Sequence, residues 1–295
     1  MAHDLRADFH SLTAALPPLS RRGFVMTASA AVGFAAAAGP VSAETVIKTD
    51  TDGLEAGDSA FTATDGTEVP VYFARPVDDD SAPVILVIQE IFGVHEHIKD
   101  VCRRLGKAGY FAVAPELYNR QGDPSGYDDI QTLLSEVVSQ VPDEQVMSDL
   151  DDCVAWAAAE GGDTERLGIT GFCWGGRVTW LYAAHNPDLS AGVAWYGRLV
   201  GETSDTTPQH PIDVAADLNA PVLGLYGGAD SGIPVDTVEE MRSALEEAEQ
   251  SFEIVVYPDA PHAFHADYRP SYREAPAQDG WERLLAWFDQ HIAAA

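Results

Sequence analysis

The sequence predicts an α/β fold with a mostly parallel central sheet and helices on both faces. Three observations carry that expectation. Short uncharged runs such as Pro83 to Gln89 (PVILVIQ) have the continuous hydrophobicity of strands buried on both sides. These runs alternate with longer stretches of helical spacing, the pattern of parallel strands joined by crossover helices. The segment Gly171-Phe172-Cys173-Trp174-Gly175-Gly176 joins an apolar strand to an apolar helix through a turn that needs its glycines.

The elements follow in order. Phe61 to Phe73 alternates apolar and polar residues around Asp65-Gly66, a hairpin signal. The PVILVIQ strand comes next, then a helix from His95 to Ala108 with Ile98, Val101, Cys102 and Leu105 at helical spacing. Tyr110 to Pro115 is a strand, and Asp128 to Ala159 holds one or two helices broken near Pro142. Arg166 to Thr170 is the strand that leads into the cysteine turn, and Arg177 to Ala184 is the helix that leaves it. Further strands are expected at Ala191 to Tyr196, Pro221 to Tyr226 and Phe252 to Tyr257. A helix over Val235 to Gln250 and a closing helix near Gln278 to His291 complete the pattern.

The front of the chain reads as an address. Ser20-Arg21-Arg22-Gly23-Phe24-Val25-Met26 matches the twin-arginine export pattern, followed by an apolar stretch to Ala38 and a small-residue site at Val41-Ser42-Ala43. Residues 1–43 are therefore expected to be a signal peptide, cleaved before Glu44, with the twin-arginine export machinery as a partner. Residues 44–57 are expected to form a polar linker and residues 58–295 one catalytic domain. The apolar stretch is short, rich in Ala and Gly and interrupted at Pro40, which makes it a poor spanning helix. The expected location is periplasmic or extracellular.

Net charge is −30, and the lysines are Lys48, Lys99 and Lys107. Such an acidic chain lacks the basic surface that phosphate contacts need, so nucleic acid is not an expected partner. Three cysteines make an odd number without framework spacing. Cys102 and Cys153 fall on apolar helix faces as core residues, and Cys173 alone has a motif around it.

Gly-x-nucleophile-x-Gly at a strand-to-helix joint is the nucleophile elbow of the α/β-hydrolase fold. The turn exposes the sulfur, and the following helix N-terminus favours a thiolate and a developing oxyanion. A nucleophile needs a base, and the base needs a group to orient it. In this fold the order is nucleophile, acid, histidine. Asp230, in Gly227-Gly228-Ala229-Asp230, and His262, in Pro258-Asp259-Ala260-Pro261-His262, each follow a strand at its carboxyl end, where catalytic groups collect. Cys173, Asp230 and His262 are thus the expected triad, with Asp217 or Asp236 and the nearby His265 as competitors. The loop Gln89-Glu90-Ile91-Phe92-Gly93-Val94 follows the PVILVIQ strand, so the backbone N–H groups of Ile91 and Trp174 are the expected oxyanion donors. Glu90 is either a salt-bridged structural carboxylate or a gate that holds the thiol neutral or takes its proton. His95-x-His97 and His262-x-x-His265 do not form a recognised metal spacing, and neither metal nor cofactor is expected.

Together QEIFGV, GFCWGG, GGAD and the late His-x-Phe resemble the dienelactone hydrolase (carboxymethylenebutenolidase) family, from about Phe61 to the final helix. The resemblance implies hydrolysis of an enol lactone carrying a carboxylate, through a thiol ester on Cys173, with Glu90 keeping the thiol protonated until the substrate displaces it. Arginines bind the carboxylate in that family. Arg120, after Leu117-Tyr118, matches one of them, with Tyr118 and Phe92 beside the substrate. The other would fall within His-x-Phe-x-Arg, where this chain reads His262-Ala263-Phe264-His265-Ala266, and Arg269 is the candidate to replace it. The alternatives are a broader esterase or lactonase and a non-catalytic binding protein on the same fold.

Overall fold

A computed structural model describes residues 47–79 and 81–292; the expected export signal lies outside the described residues. The sheet has eight strands in the order β1-β2-β4-β3-β5-β6-β7-β8. β1 (Leu54–Thr62) and β2 (Glu68–Pro76) form the antiparallel hairpin, turning at Asp65-Gly66 with Gly66 at φ +87°. The turn is fixed locally, since the Asp65 carboxylate accepts from Thr67 N at 2.9 Å. β2 pairs antiparallel to β4 (Phe111–Pro115), and every later neighbour from β4 through β3 (Pro83–Ile88), β5 (Asp163–Phe172), β6 (Ala191–Trp195), β7 (Val222–Gly227) and β8 (Phe252–Tyr257) is parallel.

Burial explains why the apolar runs are strands. All residues of β3, β4, β6 and β7 are buried, as expected of strands covered on both faces. Among the described residues the α-helices are α1 (Glu96–Lys107), α2 (Ile130–Glu136), α3 (Asp143–Ala159), α4 (Trp174–His185), α5 (Val235–Glu247) and α6 (Glu274–His291), of which α1, α3, α4 and α6 pack on the strands. In α1 the predicted stripe Ile98, Val101, Cys102 and Leu105 is wholly buried. Cys102 and Cys153 are buried free thiols, and burial pushes both thiols up.

Two boundaries differ from expectation. Leu54 pairs with Pro76, so β1 occupies the end of the segment expected to be linker. The residues before it are fastened to the body: Ile47 N donates to Asp267 at 2.6 Å, Thr49 N to Asp100 at 2.6 Å, and Arg103 Nε to Thr49 O at 2.8 Å. Polar composition suggested a linker, but these polar groups are used in long-range bonds. The closing helix also begins earlier, at Glu274, with Pro276 in its first turn where a missing N–H costs nothing.

The sheet sets the location of the site. From β3 the chain moves to β4 on one side and to β5 on the other, and the carboxyl ends of β3 and β5 flank the resulting crevice.

Candidate active site

Cys173 occupies the joint between β5 and α4 with φ 58° and ψ −110°, a strained conformation for a side-chain-bearing residue. A Cβ on Gly171 would lie 2.1 Å from Gly175 O, and a Cβ on Gly175 would lie 2.5 Å from Ile88 O. The glycines are therefore obligatory, and the second contact sets the start of α4 against the end of β3. Cys173 N donates to Trp195 O at 3.0 Å, which ties the elbow to β6. Trp174 begins α4, where backbone N–H groups have no intrahelical acceptor. Ile91 follows the end of β3, whose Ile88 and Gln89 carbonyls lie against Gly175.

His262 follows β8 and Asp230 follows β7. His262 Nδ1 lies 2.6 Å from Asp230 Oδ2, while Asp230 Oδ1 accepts from Gly232 N at 2.8 Å and Ile233 N at 3.1 Å. The carboxylate is thus pinned on one side and presents its other oxygen to the imidazole. Cys173 is an electrostatic neighbour of His262. Burial opposes protonation of His262, but the Cys173 sulfur and the Asp230 carboxylate outweigh it and push its pKa up to about 10. The competitors do not reach this arrangement. Asp217 and Asp236 are exposed, and His265 is a core residue stacked 5.2 Å from Phe172, held well below its usual pKa by burial.

Glu90 is 2% exposed and turned toward Tyr268, whose hydroxyl donates to Oε2 at 2.5 Å; His95 Nε2 is 3.4 Å away. Burial disfavours its charge, yet His95 and the Arg269 guanidinium overcome that and hold the carboxyl well below the usual range. Arg269 is sandwiched between aromatic faces, 4.6 Å from the Phe92 ring centroid and 4.9 Å from that of Tyr268. Phe92, Arg269 and Glu90 therefore form one cluster. Tyr118 is wholly buried and sets its ring edge against Trp174 at 4.9 Å.

Arg120 is the expected residue that this arrangement does not leave free for substrate. Its guanidinium bonds Asp149 at 2.7 and 2.9 Å and Asp65 at 2.8 and 3.1 Å, clamping the β1–β2 turn to α3. The position after Leu-Tyr was readable in the sequence, but the two acidic partners come from residues 55 and 29 positions away.

Several site groups escaped sequence reasoning. Tyr268 and His95 fix Glu90, and His97 forms a buried pair with Asp267 at 2.7 Å in the same loop region. Tyr196, immediately after β6, sets its ring 5.2 Å from that of His262. Arg198, two residues on, is electrostatically coupled to Cys173, and burial lowers its pKa. The one sequence signal for Tyr196 and Arg198 was their position just after the carboxyl end of a strand. Among the described residues no group of three or more His, Cys, Asp or Glu side chains is arranged to hold a metal.

Comparison with known proteins agrees with this architecture. The dienelactone hydrolase family model matches residues 69–292. A protein of Methylorubrum extorquens named as a carboxymethylenebutenolidase is 63% identical over 289 residues, covering 98% of each chain. A Bradyrhizobium protein named as a probable lactonase of 2-oxo-3-(5-oxofuran-2-ylidene)propanoate is 32% identical, covering 78% of this chain and 92% of its own. The crystal structure of a Klebsiella pneumoniae protein named as a dienelactone hydrolase superposes with a TM-score of 0.79 at 62% identity, covering 81% of this chain and 99% of the other. The chain belongs to the dienelactone hydrolase family and is an ester hydrolase of the lactone-opening class.

Proposed function

We propose that the protein opens an enol lactone bearing a carboxylate through a thiol ester on Cys173. The observation that carries this reading is the pinned Asp230 carboxylate bonded to His262 at 2.6 Å, with Cys173 on the elbow among the groups that raise the His262 pKa. His262 serves as the proton acceptor and donor, and Asp230 holds its Nδ1–H so that Nε2 faces the sulfur. The sulfur attacks the lactone carbonyl, and the Ile91 and Trp174 N–H groups stabilise the oxyanion. The ring oxygen leaves as an enolate that needs little protonation, and water activated by His262 then cleaves the thiol ester. Glu90 is the resting gate of the thiol and Arg269, beside Phe92, is the carboxylate anchor. The Bradyrhizobium relative's named substrate, an unsaturated lactone carrying a propanoate, supports that class.

A second reading, a broader esterase, is favoured by one observation: Arg120 is engaged by Asp65 and Asp149. Turnover of a dienelactone and of a neutral activated ester by the full chain and by Cys173→Ala separates the two. Dienelactone turnover that needs Cys173 supports the lactone reading. Cleavage of the neutral ester alone supports the broader one. We also propose export through the twin-arginine route, on the strength of Arg21-Arg22 and the Ala-rich stretch that follows. Retention of the Arg21→Lys, Arg22→Lys variant inside cells that export the wild type is the expected result, and equal export of both refutes it.

A further inference from the structure

Tyr196 carries two features that the fold does not explain. Its backbone sits at φ 38°, in the left-handed region that tyrosine seldom adopts. Its hydroxyl is buried and has no hydrogen-bond partner among the described residues. The strain is held in place by bonds on both sides: Tyr196 N donates to Leu225 O at 2.8 Å, and Trp195 O accepts from Cys173 N at 3.0 Å. The ring is packed edge-on against His262 and Phe264, each at 5.2 Å. Phenylalanine would fill this space equally well, without the cost of burying an unsatisfied O–H.

The surroundings of the hydroxyl identify what it is waiting for. Its ionisable neighbours include Glu90, Tyr268, Cys173 and Arg269, and burial with Glu90 keeps it protonated, hence a donor. Within this cluster the Tyr268 hydroxyl is already spent on Glu90. Among the buried donors without partners in the described residues, Tyr196 Oη and Arg269 Nε are those that have Glu90 as a common neighbour, whereas Tyr118 Oη lies toward Glu116. A carboxylate has two acceptor oxygens and can take a charge-assisted bond from a guanidinium and a second bond from a hydroxyl. In the proposed function the oxyanion is served by the backbone N–H groups of Ile91 and Trp174, which leaves Tyr196 Oη and Arg269 Nε for another group.

We propose that the Tyr196 hydroxyl donates to the substrate carboxylate and, with Arg269 Nε, completes an anion subsite beside Cys173. This deepens the proposed function, since it rests on Cys173 as nucleophile and Arg269 as anchor.

Alkylation of Cys173 tests it without requiring lactone turnover. Iodoacetate carries a carboxylate one carbon from the reacting centre, and iodoacetamide is its neutral counterpart of similar size. In Tyr196→Phe the ratio of iodoacetate to iodoacetamide rates at Cys173 should fall at least about fivefold, with the iodoacetamide rate within about twofold of wild type. An unchanged ratio overturns the proposal, as do two rates that fall together, which would mark Tyr196 as structural. Wild-type dienelactone turnover is measured alongside. If it is absent while the ratio shifts, the lactone reading fails and the anion subsite stands. If it is present while the ratio is unchanged, the subsite fails and the lactone reading stands.

Discussion

Replacing Asp230 with Asn should disable the enzyme through proton position, with little change in packing. Asp230 Oδ1 accepts from two backbone N–H groups, Gly232 at 2.8 Å and Ile233 at 3.1 Å, and Oδ2 faces His262 Nδ1 at 2.6 Å. An asparagine can satisfy the two backbone donors only with its amide oxygen, which turns its NH2 group toward Nδ1. Nδ1 must then accept, so the neutral imidazole carries its proton on Nε2 and cannot take one from the Cys173 sulfur. Loss of the carboxylate charge also lowers the His262 pKa from about 10. A wrong tautomer in a comparable triad costs roughly 10³–10⁴ in rate, or about 4–5 kcal/mol of transition-state stabilisation. The assay is kcat/KM on a neutral activated ester across pH, with urea unfolding as a control. Asp230→Ala also strands the two backbone donors, so it should lose about 1–3 kcal/mol of stability that Asp230→Asn keeps. A loss of activity below tenfold in Asp230→Asn would refute the assigned role of the carboxylate.

Three other outcomes follow from the same geometry. Arg120→Ala leaves Asp149 buried without its cation and should cost about 1–3 kcal/mol in urea unfolding, while kcat/KM on a dienelactone stays within about threefold; a selective rise in KM would return Arg120 to the substrate. His262 has a raised folded pKa, so its contribution to stability is present in full below about pH 6.5 and fades as pH rises through about 10. The gap of about 3.5 units bounds that contribution at about 5 kcal/mol, and Cys173→Ala, which removes the partner that most raises the pKa, should show a flatter fall in urea midpoint between pH 7 and 10; parallel curves would exclude the coupling. Gly171→Ala places a methyl 2.1 Å from Gly175 O and should destabilise the fold by about 3 kcal/mol or yield no soluble protein; a normal melting temperature would show that the elbow can yield.

The parts of this molecule that were legible in the sequence are those fixed by local pattern. PVILVI and FAVAP read as buried strands because no polar residue interrupts them, and the stripe of α1 read as a helix because its spacing is local. The elbow position of Cys173 and the Asp230–His262 pair were readable because each residue comes after a strand and because their order is constrained. The fastening of residues 47–49 was not legible, since Asp267 lies 220 positions from Ile47. The same holds for Arg120, whose motif neighbourhood is local and whose acidic partners are not. Tyr268 stood beside a named arginine, yet only the folded loop brings its hydroxyl to Glu90, 178 positions away. Sequence reports where a group leaves its strand; its hydrogen-bond partner is chosen by the packing of distant loops.

The central claim is a covalent thiol ester on Cys173, and acid quenching during steady-state turnover of a dienelactone, followed by peptide mass analysis, tests it most directly. The account predicts the mass of the opened lactone on the peptide containing Cys173, absent from Cys173→Ala. Turnover with no adduct on that peptide, or undiminished turnover in Cys173→Ala, would contradict it.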